Sequence, residues 1–193
     1  MSIKHSTYHF RTNNPNREEF DNYPTPSEAV KPLLKHTTFE GEIFEPCIGE
    51  GFLADGLIKF GGLDVSGMDI RGTGRGKLGD FLSDEYFDEC DNIVTNPPYK
   101  LSLDFLEKSL SITRKKVAFF CYLTFLESES RRPFLTNGLL SHVVVVSNRT
   151  PKMKNGKWGS GERLPHAWYV WDKNHDGSPP KLFIENQEYT ECQ

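Results

Sequence analysis

The chain has 193 residues, of which 36% are hydrophobic and 26% are charged, proportions that exclude a disordered chain and predict one domain with a sizeable core. No apolar run reaches the roughly 18 residues that span a membrane, and the N-terminus lacks a signal segment, so we expect a cytoplasmic protein with no membrane partner. The four cysteines are scattered, which is typical of reduced thiols, and no metal site is predicted.

Composition divides the chain into three segments. Residues 1–22 are polar, rich in Asn and charged, so we predict a flexible N-terminal arm or flap. Residues 23–173 carry most of the apolar runs and are predicted to form the single folded domain. Residues 174–193 are predicted to be a polar C-terminal tail, interrupted by a short strand-like run at 182–184.

Short apolar runs alternate with amphipathic stretches within the predicted domain. The apolar runs predict strands at 42–45, 65–70, 92–95, 117–125, 142–146 and 166–171. The amphipathic stretches predict helices at 27–35, 52–60, 101–112 and 127–136. Ser27 is predicted to be the N-cap of the first helix, and the glycine-containing stretch 71–78 is predicted to be a loop.

This alternation predicts an α/β fold, with helices covering both faces of a mostly parallel sheet. No helix is predicted between the strands at 142–146 and 166–171. We therefore expect these two strands to form a hairpin-like antiparallel pair at one edge of the sheet.

The first candidate site is a strand, a glycine loop and a helix in succession at residues 44–60. Gly49 and Gly51 allow the backbone to approach a ligand at the carboxyl edge of the sheet. The loop has neither the GxGxxG pattern nor the Lys-Ser/Thr pair of phosphate-binding loops. A cationic sulfonium cofactor suits it better, with Glu45 as a nearby carboxylate, and an ordinary turn is the alternative interpretation.

Two acidic residues that follow are candidates for binding a nucleoside. Asp69 ends the second predicted strand, where a carboxylate can accept both hydroxyls of a ribose. Asp80 can accept a hydrogen bond from an adenine amino group while Phe81 covers the ring face. The alternatives are a surface aspartate at 69 and a helix N-cap at 80.

The most specific feature is Asn96, Pro97, Pro98 and Tyr99, which follow an apolar strand. The side-chain carbonyl of Asn96 and the main-chain carbonyl of Pro97 can accept both hydrogens of an NH2 group. Holding these hydrogens moves the nitrogen toward tetrahedral geometry and frees its lone pair for attack on a methyl group, by positioning rather than by a strong base. Tyr99 can stack on the target ring. A structural turn is the alternative interpretation.

Together these motifs resemble those of class I, Rossmann-like S-adenosylmethionine-dependent amino-methyltransferases, especially DNA adenine-N6 methyltransferases. The resemblance covers residues 23 to about 172 and implies a mostly parallel, seven-stranded sheet with an antiparallel edge hairpin. It implies S-adenosylmethionine as cofactor and Asn96, Pro97, Pro98 and Tyr99 as the catalytic residues. The cofactor-binding residues that it implies are Tyr23, Thr25, Glu45, Pro46, Cys47, Gly49, Gly51, Asp69, Asp80 and Phe81.

The likeness is closer to compact phage and prophage methyltransferases, which implies a bacterial or phage-infected cell. It rests on stretches such as 125–127, 147–151 and 167–171. Two departures matter. The spacing between Asp69 and Asp80 is too short for the helix usually found there, and the 22 residues after Trp171 leave no room for a target-recognition domain. A partner subunit for target recognition is therefore one expectation.

The net charge of −4 requires any nucleic-acid contact to come from a local patch. Between residues 149 and 163, five cations and one acid leave a local charge of +4 around an aromatic residue. Cations for phosphates and an aromatic ring for stacking suit a single strand or a flipped base, and a solvated loop is the alternative. The predicted substrate-binding residues are Arg149, Lys154, Lys157, Trp158 and Arg163.

The sequence thus predicts a methyltransferase acting on an exocyclic amino nitrogen, with adenine N6 in DNA as the leading substrate. Cytosine N4 presents similar geometry and stays open. The same tetrapeptide also suits an RNA base or a glutamine amide in a protein. A non-catalytic binding module with the same fold is the alternative from another functional class.

Overall fold

The structure is a computed structural model that describes residues 24–83, 88–154, 156–161 and 164–190, with the backbone alone for Lys154 and Ser160. The predicted arm at 1–22 lies outside these residues. The helices are α1 (Val30–His36), α2 (Phe52–Gly61), α3 (Ser102–Ile112) and α4 (Arg132–Leu135). The strands are β1 (Ile43–Glu45), β2 (Val65–Asp69), β3 (Lys77–Leu78), β4 (Cys90–Thr95), β5 (Thr113–Tyr122), β6 (Leu140–Val146), β7 (Pro151–Lys154), β8 (Lys157–Gly161), β9 (His166–Asp172) and β10 (Lys181–Glu185).

The main sheet of the described residues has the strand order β3-β2-β1-β4-β5-β9-β6-β10. Strand β9 is antiparallel to both of its neighbours, and the other pairs are parallel. The α/β architecture and the antiparallel pair are confirmed, the pair being β6 and β9. Strand β10 adds beyond β6, so the apolar run inside the predicted tail belongs to the sheet.

Within the described residues this sheet has eight strands where the sequence predicted seven. The additional strand is β3, which pairs with Met68 and Asp69 in the stretch predicted to be a loop. Two residues are too few to produce an apolar alternation that sequence reading could detect. The helix expected to be shortened or missing between Asp69 and Asp80 is absent, since all the residues between them are described.

Two predicted helices differ from the observed elements. Ser27 does not cap a helix: it starts a 3-10 turn, and its hydroxyl donates to the Phe52 carbonyl over 2.9 Å, which ties this turn to α2. The helix predicted at 127–136 is not continuous: a 3-10 turn ends at Glu127, a second spans Glu129–Arg131, and the four-residue α4 follows. Pro133 explains this difference, because its ring clashes with the carbonyl four residues earlier in a continuous α-helix.

The sheet is covered on both faces by separate apolar clusters. Alternate residues of β9 point to opposite faces, so Tyr169 and Trp171 join one cluster while Trp168 and Val170 join the other. The two tryptophans also carry hydrogen bonds, since Trp168 Nε1 donates to the Ala29 carbonyl and Trp171 Nε1 to a carbonyl of α4, each over 2.8 Å. No helix among the described residues is long and apolar enough to cross a membrane.

Candidate active site

The carboxyl ends of β1, β2 and β4 open onto a cleft of about 940 Å³, a volume that includes its solvent-open part. The cleft brings together every predicted cofactor and reaction-centre residue that the structure describes. These lining residues are Thr25, Glu45, Pro46, Cys47, Gly49, Gly51, Asp69, Asp80, Phe81, Asn96, Pro97, Pro98 and Tyr99. Tyr23 lies outside the described residues.

The glycine loop has the backbone conformation that only glycine adopts easily. Gly49 and Gly51 have φ values of 52° and 88°. The Gly49 amide donates to the Asp69 carboxylate over 2.9 Å, so the loop is held to the end of β2. A side chain at position 49 would also meet the Arg71 guanidinium. A residue other than glycine at either position would therefore strain the loop.

The Asp69 carboxylate is shared with an arginine that the sequence analysis did not single out. Besides the Gly49 amide, it accepts hydrogen bonds from the backbone N–H of Arg71 over 2.8 Å and from its Nε over 3.0 Å. Arg71 Nη1 also lies 3.7 Å from Glu50 Oε1. A ribose that uses Asp69 as an acceptor must share this carboxylate with the Arg71 side chain or displace it. The sequence signal for this contact was an arginine two residues after the acid that ends a strand.

Glu45 is a buried acid with an unmet hydrogen-bonding atom. Its side chain is 2% exposed, and its Oε2 has no hydrogen-bond partner within the part of the chain that the structure describes. Burial and, second, the charge of Asp69 raise the pKa of this carboxyl well above its ordinary value. Burial, followed by the charges of Asp69 and Glu45, likewise raises the pKa of the Cys47 thiol. The uncharged forms of Glu45 and Cys47 are therefore favoured at this end of the cleft.

Asp80 and Phe81 line the cleft and are held there by contacts within the protein. The Asp80 side chain accepts from the Leu82 amide over 2.9 Å, which is a local turn contact. Phe81 is 2% exposed, and its ring packs in the core 5.1 Å from the Phe105 ring. Ile70 also lines the cleft and is 51% exposed. The sequence placed it at the end of a strand, 65–70, whereas β2 ends at Asp69.

Asn96 has a fixed amide orientation. Its Nδ2 donates to the Thr25 hydroxyl over 2.9 Å, and its buried Oδ1 has no partner among the described residues. Because the nitrogen is held, the side-chain oxygen is available as an acceptor in the cleft. Thr25, predicted on the cofactor side, thus contacts the reaction centre directly. The Pro98 carbonyl accepts from the Leu101 amide, which leaves the Pro97 carbonyl as the main-chain acceptor that the sequence predicted.

Tyr99 is supported by an aromatic layer that the sequence did not predict. Its ring lies 4.2 Å from the Tyr122 ring, with 32° between their planes. Its hydroxyl lies 3.1 Å from Nε2 of His166, which stacks on Phe120 at 4.7 Å and 11°. Tyr99 lines the cleft and the other three residues do not, so they support it from behind. No local pattern could reveal them, because β5 and β9 are joined to Tyr99 only by the sheet.

The basic segment contains a β-hairpin. Strands β7 and β8 pair with each other and not with the main sheet. The Trp158 ring contacts the Phe52 ring edge-on at 5.5 Å, and Phe52 lines the cleft. Arg149 and Lys157 are exposed. The Lys154 side chain and Arg163 lie outside the described residues. The hairpin therefore stands beside the cleft without lining it.

The fold is similar to those of solved methyltransferases. The methyltransferase subunit of a type I restriction-modification system from Streptococcus thermophilus aligns with a TM-score of 0.59 at 10% identity, over 85% of this chain and 47% of that chain. The M protein of the type I restriction enzyme EcoKI aligns with a TM-score of 0.59 at 14% identity, over 87% of this chain and 48% of that chain. A Pyrococcus horikoshii protein provisionally assigned as an RNA methyltransferase aligns with a TM-score of 0.55 at 18% identity, over 82% and 93%.

No protein-family model and no curated protein sequence matches the chain. The chain spans about half the length of the two type I proteins. It has the Rossmann-like fold of class I methyltransferases, as the sequence resemblance implied. At these identities the likeness is one of fold, and the chemistry rests on the residues of the cleft.

Proposed function

We propose that this protein is an S-adenosylmethionine-dependent methyltransferase that acts on an exocyclic amino nitrogen, with adenine N6 in DNA as its substrate. The observation that carries the proposal is the fixed amide of Asn96. Its nitrogen is held by Thr25, and its buried oxygen has no partner among the described residues. A buried acceptor without a partner is costly, so a donor from a substrate is the expected partner.

The acceptors at the reaction centre suit an NH2 group. The lone pair of an aromatic amine is delocalised into the ring, which makes its nitrogen a poor nucleophile. Hydrogen bonds from the two amine hydrogens to Asn96 Oδ1 and the Pro97 carbonyl favour a tetrahedral nitrogen, whose lone pair can then attack. Positioning of this kind contributes to rate without any strong base in the cleft.

The other end of the cleft suits the cofactor. S-adenosylmethionine, when bound, supplies a methyl group on a positively charged sulfur. The unpartnered Oε2 of buried Glu45 suits a nearby positive charge, and the glycine loop offers backbone to a ligand. Asp69 is the candidate acceptor for the ribose hydroxyls. The residues that we assign to this site are Thr25, Glu45, Pro46, Cys47, Gly49, Gly51, Asp69, Asp80 and Phe81.

The choice of DNA rests on the β7–β8 hairpin and on the type I methyltransferase subunits of similar fold. Arg149, Lys157 and Trp158 provide exposed cations and an aromatic ring next to the cleft. Such a surface suits phosphates and an unstacked base, and a base in a duplex must leave the stack to reach the cleft. A partner that recognises the target sequence is part of this proposal.

Methyl transfer from tritiated S-adenosylmethionine tests the substrate. The acceptors are duplex DNA, single-stranded DNA, RNA and a cell protein extract, each with wild type and Asn96→Ala. We expect label on DNA, at N6 of adenine after digestion, and none with Asn96→Ala. Label on N4 of cytosine, on RNA alone or on protein alone would replace adenine N6 in DNA as the substrate.

Calorimetry with the cofactor separates an enzyme from a binding module. We expect wild type and Asn96→Ala to bind S-adenosylmethionine with similar affinity, because Asn96 acts on the acceptor. No binding at millimolar cofactor would contradict the methyltransferase function. Asn96→Ala that transfers methyl groups as fast as wild type would contradict the role of the tetrapeptide.

A further inference from the structure

A buried histidine holds the far end of the Tyr99 ring. His166 opens β9, is 2% exposed, and places its Nε2 3.1 Å from the Tyr99 hydroxyl. At the near end, the Ser102 hydroxyl donates to the Tyr99 carbonyl over 2.9 Å. Tyr99 is therefore anchored at its backbone and at its ring tip by two separate contacts.

The state of this imidazole suits a fixed hydrogen bond. Burial and, second, the charge of Arg149 lower the pKa of His166 to about 3, so the ring is neutral at physiological pH. A neutral imidazole has one N–H and one acceptor nitrogen. Its Nδ1 is buried without a partner within the described residues. The polar contact of the ring is therefore the hydrogen bond between Nε2 and the Tyr99 hydroxyl.

The stacking around His166 limits its movement. The ring is stacked on Phe120 and lies 4.6 Å from the Tyr122 ring, which itself packs against Tyr99. Stacking on Tyr122 sets the tilt of the Tyr99 ring, but rotation about the first side-chain torsion would still swing the ring tip. The hydrogen bond at the hydroxyl holds this tip, because the hydroxyl lies at the end of the ring remote from the backbone.

We propose that His166 is a positioning residue, which holds the tip of the Tyr99 ring in place through the tyrosine hydroxyl so that the acceptor base meets a preformed stacking surface. The inference rests on the proposed function for the identity of the acceptor. It adds a residue from β9, remote in sequence, to the acceptor side of the cleft. His166 is expected to affect the acceptor and to leave the cofactor end unaffected.

A double-mutant cycle tests this coupling. The variants are His166→Met, which replaces the imidazole with an apolar side chain and removes the hydrogen bond, Tyr99→Phe, and the pair together. His166→Gln is the conservative variant, since its side-chain amide can reach the Tyr99 hydroxyl. His142→Met is the matched control, because His142 is also buried in the sheet and bonds to Thr37 over 2.8 Å, away from the cleft.

The expected result is a change in KM for the acceptor. His166→Met should raise KM for a methylatable oligonucleotide about 5-fold, the value of one ordinary hydrogen bond. Tyr99→Phe should do the same, and the double variant should be no worse than either single one. His166→Gln should recover most of the loss, and His142→Met should leave KM unchanged. The cofactor dissociation constant should be the same in all of them.

Three results would overturn the inference: additive effects of the two substitutions, an equal loss of cofactor and acceptor binding, or a His166→Met enzyme with wild-type KM. The rotamer population about the first side-chain torsion of Tyr99, measured by NMR couplings on the labelled full chain, gives a readout that needs no activity. It should shift from one rotamer toward several in His166→Met and not in His142→Met. If wild type transfers no methyl group, the proposed function fails, and an unchanged rotamer population in His166→Met would separately refute the positioning role.

Discussion

Thr25 lies between the cofactor end of the cleft and the reaction centre at Asn96. Because its hydroxyl accepts from Asn96 Nδ2, removing it leaves the Asn96 amide free to rotate and to misplace Oδ1. We expect Thr25→Ala to lower kcat about 10-fold, the value of a hydrogen bond that orients a reacting group. Thr25→Ser keeps the hydroxyl and should retain most of the activity. Steady-state kinetics of both variants check this, and equal losses would contradict it.

Glu45 links cofactor binding to pH. Its pKa is raised by burial and by Asp69, and a bound cation favours the charged carboxylate and lowers that pKa again. Binding should therefore release a proton. Cofactor affinity should rise by up to about 10-fold per pH unit, until the pH exceeds the pKa of Glu45 in the free protein.

Calorimetry in buffers of different ionisation enthalpy measures this proton release. Glu45→Gln cannot ionise, so its affinity should be weaker at high pH and nearly independent of pH. If the cofactor affinities of wild type and Glu45→Gln had the same pH dependence, Glu45 would not be the group that titrates on cofactor binding.

Arg71 competes for the carboxylate that we assign to the ribose. Its Nε and backbone N–H both donate to Asp69 Oδ1, and its Nη2 donates to Oδ2 over 3.4 Å, so the Nε and Nη2 contacts depend on the side chain. Arg71→Ala should release Asp69 and lower the cofactor dissociation constant by a few fold, the value of one partly exposed charged contact. Arg114→Ala is the control, since Arg114 pairs with Asp91 away from the cleft. Weaker binding in Arg71→Ala would instead indicate that Arg71 holds the ligand.

Strand β9 connects the two faces of the sheet through its tryptophans. Trp168 donates to Ala29, in the turn that follows Thr25, whereas Trp171 donates to Phe134 in α4. Each Trp→Phe substitution removes one buried hydrogen bond and should cost about 1–3 kcal/mol of unfolding free energy. Only Trp168→Phe should also lower kcat, because only its partner lies next to Thr25. Denaturation and kinetics of both variants check this, and equal kcat values would contradict it.

The pH dependence of folding is a property of the whole molecule. Burial lowers the pKa of His166 to about 3 and, with the charge of His36 as a second cause, that of His142 to about 4, from an ordinary 6.5. Below about pH 6.5 these histidines are protonated in the unfolded chain and stay neutral in the folded chain. As the pH falls from about 6.5 toward the pKa of the folded state, each histidine should therefore cost about 1.4 kcal/mol of unfolding free energy per pH unit. Above pH 6.5 neither should affect stability in this way.

A variant isolates this term from the other titrating groups. His142→Gln should lose unfolding free energy less steeply than wild type between about pH 6.5 and 4.5. The raised pKa of Glu45 acts with the opposite sign but equally in both proteins, so it cancels in the comparison. Denaturant titrations across this range measure both slopes, and parallel curves would contradict the assignment.

The sequence alone determined the α/β class, the boundaries of α2 and most strands within a few residues, and the residues around the cleft. These features are local: glycines that permit positive φ, strand-end acids, and prolines that stop β4 before Tyr99. Parallel strands bring their carboxyl ends to one edge, so motifs at strand ends meet without any knowledge of side-chain packing. The break in the helix predicted at 127–136 also has a local cause, since Pro133 does not fit inside a continuous α-helix.

The tertiary structure decided what holds those residues in place. Three hydrogen bonds between side chains do this. They join Asn96 to Thr25, Arg71 to Asp69, and Tyr99 to His166. Phe81 likewise could be placed in the core only once α3 was packed against it. Periodicity and spacing report which residues reach an edge of the sheet. Hydrogen bonds and ring contacts between elements depend on packing across the sheet, which no local pattern encodes.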